Sequence, residues 1–230
     1  GEKRRYAEIH GCPEDYFDKV CNTVKECVRI KKDKGLSVTI GLQMVLLPQF
    51  RDQIMPLAKL GKTLGVDYLV IKHCSDDENG SLKVDYSKYH EMVDILKQAE
   101  EKSTADYLVK AKWSKILSGG ERCYKKCYGP PFIVQFSGSG LVAPCGMLFN
   151  TQYKKFHIGN IAETSFKEIW ESDRYWEVMA MLKSDRFNPQ TQCGTLCLQH
   201  KVNEVLWDLM DNDVKLREGE GEPPLHTNFI

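Results

Sequence analysis

The chain lacks an excess of charge of either sign, a long apolar run and any internal repeat. Its 32 basic residues match 32 acidic ones, so neither a basic stripe for nucleic acid nor a charged face for a membrane surface is expected. Apolar runs are short: Met44–Leu47 is a strand's worth, far below what a bilayer-spanning helix needs. The charged start, Gly1-Glu-Lys-Arg-Arg5, is followed by no signal-peptide core. A cytoplasmic protein without nucleic-acid or membrane partners is the expectation. At 230 residues the chain suits one large domain or two small ones.

Cysteine, by contrast, is plentiful. The nine are Cys12, Cys21, Cys27, Cys74, Cys123, Cys127, Cys145, Cys193 and Cys197. An odd number in a chain with a sizeable core argues against a secreted disulfide framework. In a reducing compartment, clustered cysteines are more often metal ligands or redox groups.

The first half reads as alternating helix and strand. Phe17, Val20, Cys21, Val24, Cys27 and Val28 recur at helical spacing between Glu14 and Lys34, and Gly35 stops the run. Leu36–Leu47 reads as a buried strand, Ile54–Leu64 as a helix closed by Gly65, and Asp67–His73 as a second strand. A loop containing Asn79-Gly80 leads to a third helix through Tyr89, Met92, Val93, Leu96 and Ala99. This is the order of parallel α/β architecture, but two convincing strands make neither a barrel nor an ample sheet. The α/β part therefore reads as incomplete, with further chain upstream or a partner completing it. Gln43 in an apolar strand, and Lys72 and His73 at a strand's C-terminal end, are candidate catalytic residues.

After about Tyr107 the pattern changes. Tyr107–Trp113 is a possible further strand, and Ser118–Gly120 is a break. Phe132–Phe136 and Leu141–Ala143, joined by Ser137-Gly-Ser-Gly140, predict a β-hairpin. Ser165-Phe-Lys-Glu168 predicts a capping box, and Trp170, Tyr175 and Trp176 read as core aromatics. Leu198, Val202, Val205, Leu206 and Leu209 predict a final amphipathic helix before a charged tail.

Cys127 and Cys145 flank the hairpin, which returns its ends to each other. Cys193 and Cys197 are spaced to share one face of a helical turn at the start of the last helix. Four thiolates so disposed suit a tetrahedral zinc ion or an iron–sulfur cluster. Gly129, Gly140, Gly146 and Gly194 would allow close backbone approach to it. The alternative is a set of inert buried thiols. For Cys12, Cys21, Cys27 and Cys74 packing is the simpler reading. Cys123 and His200 are alternative ligands, His200 also being a candidate packing or capping residue. Asn203 is a candidate for bonding backbone near the site.

These residues resemble a known family: radical S-adenosylmethionine enzymes with a C-terminal SPASM or twitch extension. The resemblance rests on Cys127, twelve residues, Gly140, four residues and Cys145, then His157-Ile-Gly-Asn-Ile161, Ser165–Trp170 and Ser172–Tyr175. It closes with Cys193-Gly-Thr-Leu-Cys197-Leu-Gln-His200 and Asn203, and covers about half of the chain. It implies a fold of the α/β class: residues 1–106 as the C-terminal portion of a partial (β/α)6 barrel, 107–212 as an α+β SPASM/twitch-like extension and 213–230 as a tail. It further implies one auxiliary [4Fe–4S] cluster on Cys127, Cys145, Cys193 and Cys197, serving electron transfer or substrate positioning. The family's radical-initiating CxxxCxxC loop is absent from the chain. S-adenosylmethionine and a second [4Fe–4S] cluster would therefore require a barrel half upstream or on a partner chain, and the chain alone is not expected to cleave S-adenosylmethionine. The remaining implied partners are a sugar-like small molecule or peptide as substrate, and an electron donor or acceptor protein. From other classes, a non-catalytic iron–sulfur electron-transfer module and a zinc-stapled structural domain stay open.

Overall fold

The computed structural model describes residues 1–77, 80–118, 121–193 and 197–215. Asn79 of the expected loop, Gly119-Gly120 of the expected break, Gly194 and most of the tail lie outside the described residues. The chain divides into two compact units, 1–74 with 83–120, and 75–82 with 121 onward.

The first unit starts with α1 (Lys3–His10), an element the sequence pattern did not announce, and α2 (Asp15–Asp33). The apolar stripe of α2 buries Cys21 and Val28 and packs Phe17 and Val24 against the same core. Cys27 lies outside that core and is exposed, at the margin of the stripe. Strand β1 (Gly41–Leu46), helix α3 (Ile54–Leu64), β2 (Tyr68–His73), α4 (Val93–Glu100) and β3 (Leu108–Ala111) follow. The strands form a parallel sheet in the order β1-β2-β3, each crossover carrying a helix as parallel pairing requires.

Polar clips set this sheet's ends. Lys31 of α2 donates to both oxygens of Asp67 at 2.6 and 2.7 Å. Asp67 also accepts the Ile40 backbone N–H at 2.6 Å, tying the entry of β1 to that of β2. At the far end Glu100 accepts from the Ala111 N–H at 2.8 Å and the Trp113 indole at 3.1 Å. Trp113 opens the short helix α5 (Trp113–Ile116).

The sequence pattern places the change of architecture at 106/107, but the first unit runs on to 120. The physical reason is β3: its backbone pairs with β2, and the buried Tyr107 hydroxyl donates to the Ala58 carbonyl of α3 at 2.9 Å.

In the second unit β4 (Gln135–Phe136) and β5 (Leu141–Ala143) form the expected hairpin, shorter on its first arm. A third strand, β6 (Gly159–Asn160), pairs with β5. Gly140 turns the hairpin at φ +82°, and a side chain there would lie 2.4 Å from the Asn160 amide oxygen. The Ser165–Glu168 capping box is present and opens α6 (Phe166–Glu171), followed by α7 (Asp173–Leu182), α8 (Pro189–Gln192) and α9 (His200–Asp211). A core of Val142, Leu148, Phe156, Tyr175, Leu182 and Phe187 lies beneath them. Tyr175 is fully buried, but Trp176 is 50% exposed rather than a core aromatic.

Gly61 tests the tightness of the first unit. A methyl group there would stand 2.3 Å from the Tyr107 hydroxyl, whereas alanine is otherwise about 1 kcal/mol better than glycine inside a helix. Gly61→Ala should destabilise the protein by about 1–3 kcal/mol, an overpacking cost, read as a lower denaturation midpoint. An unchanged or raised midpoint would show that α3 and Tyr107 have room to part.

Candidate metal centre

Each of four cysteines is placed by a different local device. Cys127 is held by its N–H on the Leu182 carbonyl at the end of α7, at 3.0 Å. Cys145 leaves β5 in extended backbone (φ −163°, ψ 167°) and precedes a single 3₁₀ turn, Gly146–Leu148. Cys193 follows α8, also in extended backbone. Cys197 lies ahead of α9, its carbonyl accepting the His200 N–H at 3.3 Å. The expectation that Cys193 and Cys197 share one turn of the last helix is therefore corrected: the helix begins at His200. Residues 194–196 between them lie outside the described residues.

All four nevertheless line one cavity, together with Tyr124, Leu148, Phe187, Gln199 and Asn203. Its free interior is small, about 10 Å3, roughly one water molecule's worth. Among the described residues no three His, Cys, Asp or Glu side chains converge closely enough to hold a single metal ion.

Burial dominates the electrostatics. It pushes the Cys127 thiol up to about 12, with the neighbouring Cys197 and Cys193 sulfurs adding to the rise; the Asn203 amide and the Gly129 N–H oppose it. Cys145 is raised still further, again first by burial and then by Cys193, Cys197 and Cys127. Both thiols feel the same two neighbours, which agrees with their sharing a cavity. Metal-free, the site favours neutral thiols; a bound cation would reverse that preference.

The face that α9 turns inward is polar. Gln199 (1% exposed) just before it, His200 and Asn203 (0%) are buried, whereas Val205 is 52% exposed and Leu198 43%. The apolar positions Val202, Leu206 and Leu209 are half-buried, and the deepest burial falls on the polar first turn, which packs on backbone around the cysteines. His200 is occupied elsewhere: Nδ1 lies 3.2 Å from the Tyr124 hydroxyl and Nε2 3.2 Å from Glu204. Neither His200 nor the exposed Cys123 lines the cavity. Tyr124 and Gln199 were not foreseen. They lie one residue after Cys123 and two after Cys197, positions whose polar or amphipathic side chains sequence alone does not separate from surface.

The candidate residues of the first unit divide. Gln43 stands opposite Val70 and Lys72 opposite Val45 in the β1–β2 register, so Gln43 and Lys72 share one face of the sheet. Lys112 lies near Lys72, and its ammonium is lowered first by burial and then by that neighbour. His73 is on the opposite face, buried, with Nδ1 3.0 Å from the Cys74 carbonyl and its ring against Tyr86 and Tyr89. The structure thus separates His73 from the other two.

Residues 127–197 match the SPASM iron–sulfur cluster-binding domain. The matched segment begins and ends on two of the four cavity cysteines. No curated protein matches the chain. Among solved structures, a crystal structure of selenomethionine BtrN in an open conformation is 14% identical. The likeness covers 77% of this chain and 78% of that one at a TM-score of 0.26, too low to assign a fold. Among the described residues no helix is long and apolar enough to cross a membrane. The SPASM segment's donor set suits the group that the match implies: four soft thiol ligands, buried against Leu148 and Phe187, with N–H groups at Cys127.

The raised Cys127 thiol fixes a sign. Its ordinary value of 9.0 rises to about 12 in the fold, so the linked stability of the metal-free protein is fully present below pH 9. It is lost as pH climbs towards about 12. Thermal melts across that alkaline range should show metal-free wild type losing more stability than Cys127→Ala. Parallel pH profiles would contradict the burial of this thiol.

Proposed function

We propose that Cys127, Cys145, Cys193 and Cys197 hold one [4Fe–4S] cluster, and that the chain forms part of a radical S-adenosylmethionine enzyme in which this cluster is auxiliary. The observation that carries the reading is the coincidence of a cluster-binding match bounded by Cys127 and Cys197 with four cysteines lining one buried cavity. Such a cluster, when bound, supplies a site for taking up and giving back single electrons. Four thiolates would ligate every iron and leave none open to a substrate, which favours electron transfer over direct substrate binding. Leu148 and Phe187 give the sulfurs an apolar wall. A zinc-stapled domain is less well supported, since the match over residues 127–197 is to an iron–sulfur cluster-binding domain.

For the first unit, three parallel strands with intervening helices support its reading as the C-terminal portion of a partial (β/α)6 barrel. Gln43 and Lys72, on one sheet face, would then be the residues that meet a sugar-like or peptide substrate. The sequence contains no CxxxCxxC motif, so S-adenosylmethionine and its own cluster belong to chain beyond these residues or to a partner. An electron donor or acceptor protein completes the scheme.

Anaerobic reconstitution with iron and sulfide, followed by absorption and EPR, tests the proposal. The expected product has a broad charge-transfer band near ~400 nm and a reducible paramagnetic signal. Cys127→Ala and Cys197→Ala should abolish both, while Cys21→Ala and Cys123→Ala should leave them intact. Stoichiometric zinc with no such band, or loss of the band in Cys123→Ala but not in Cys193→Ala, would overturn the reading.

A further inference from the structure

Two buried amides at the start of α9 connect the cysteine segments to one another. Gln199 and Asn203 lie one helical turn apart, on the same face. The Gln199 Nε2 donates to the Ile133 carbonyl at 2.7 Å and the Pro144 carbonyl at 3.2 Å. These carbonyls sit at the two open ends of the hairpin, Pro144 immediately before Cys145. Asn203 Oδ1 accepts the Tyr128 and Gly129 N–H groups at 2.7 and 2.8 Å, immediately after Cys127. With its oxygen committed to two donors, its Nδ2 must face the other way, and it lies 3.6 Å from the Cys127 sulfur. The approach is close because residue 129 is glycine: a side-chain carbon there would lie 3.1 Å from Gln199 and 3.2 Å from the Asn203 Nδ2.

Buried amides are costly where an apolar side chain would pack as well. Here their bonds fix the backbone beside Cys127 and Cys145 relative to the helix that Cys197 precedes. We infer that Asn203 is a positioning residue for the metal centre, which places Cys127 and donates an N–H to its sulfur, and that Gln199 places Cys145. The inference rests on the cluster reading above. A hydrogen bond to a ligating sulfur stabilises the more electron-rich state, so removing this donor makes the centre harder to reduce. Groups that orient ligands in this way typically contribute ~10–100-fold to metal affinity.

Asn203→Asp keeps an acceptor for both backbone N–H groups and removes the donor to sulfur; Gln199→Leu removes the other tie. After reconstitution, EPR-monitored redox titration should give a more negative midpoint than wild type for Asn203→Asp and also for the uncharged Asn203→Leu, where no added charge can account for the shift. Loss of iron to a chelator should be about tenfold or more faster in Asn203→Asp and Gln199→Leu. Failure of Asn203→Asp to take up iron, with a wild-type melting transition when metal-free, supports the same role. Wild-type potential and wild-type iron release would overturn it, as would collapse of the metal-free fold, which would make Asn203 a folding residue. A wild-type protein that binds no iron and sulfide would instead defeat the cluster reading itself.

Discussion

Four thiols brought into one small buried space resist ionisation, first because burial leaves a thiolate poorly solvated and then because a second thiolate would repel the first. Cys127 and Cys145 carry that cost in the free protein as strongly raised thiols. The second unit is arranged to hold them there anyway. A three-stranded antiparallel sheet supplies the hairpin, the end of α7 pins Cys127, and the first turn of α9 ties the flanking backbone of two cysteines through Gln199 and Asn203. An arrangement that disfavours free thiolates and fixes their backbones is one that a multiply charged metal group would relieve.

The first unit relies on a different set of constraints. Its parallel sheet is closed at one end by Asp67, which joins α2, the approach to β1 and the start of β2. Glu100 does the corresponding work beyond β3. Both carboxylates accept backbone N–H groups that strand pairing leaves over, so their roles are set by hydrogen-bond accounting as much as by charge. Gln43 and Lys72 emerge on one face of this sheet because side chains alternate along a strand.

Much of this was legible from residue order. The helix stripes, β2, the hairpin and the Ser165–Glu168 capping box follow from period and local chemistry, and all are present. What was not legible depended on tertiary partners. Strand β6 is only Gly159–Asn160 and has no periodicity to detect. A strand over Tyr107–Trp113 was legible, but not that Leu108–Ala111 pairs with β2 and so carries the first unit on towards residue 120. Apolar spacing marks a face that meets an apolar core and so gave no sign that Gln199, His200 and Asn203 would be the most buried residues at the start of α9. Of the candidate ligands, the cavity gathers Cys127, Cys145, Cys193 and Cys197 and leaves Cys123 and His200 outside; spacing alone had left that choice open.

The central claim is that these four thiols, and no other group, ligate a single cluster. Mössbauer spectroscopy of protein reconstituted with 57Fe, with iron and acid-labile sulfide measured on the same sample, addresses it most directly. The account predicts about four iron and four sulfide per chain, all in tetrahedral sulfur sites with no distinct iron carrying an oxygen or nitrogen ligand. A single iron per chain, or one iron with a spectrum set apart from the rest, would contradict it.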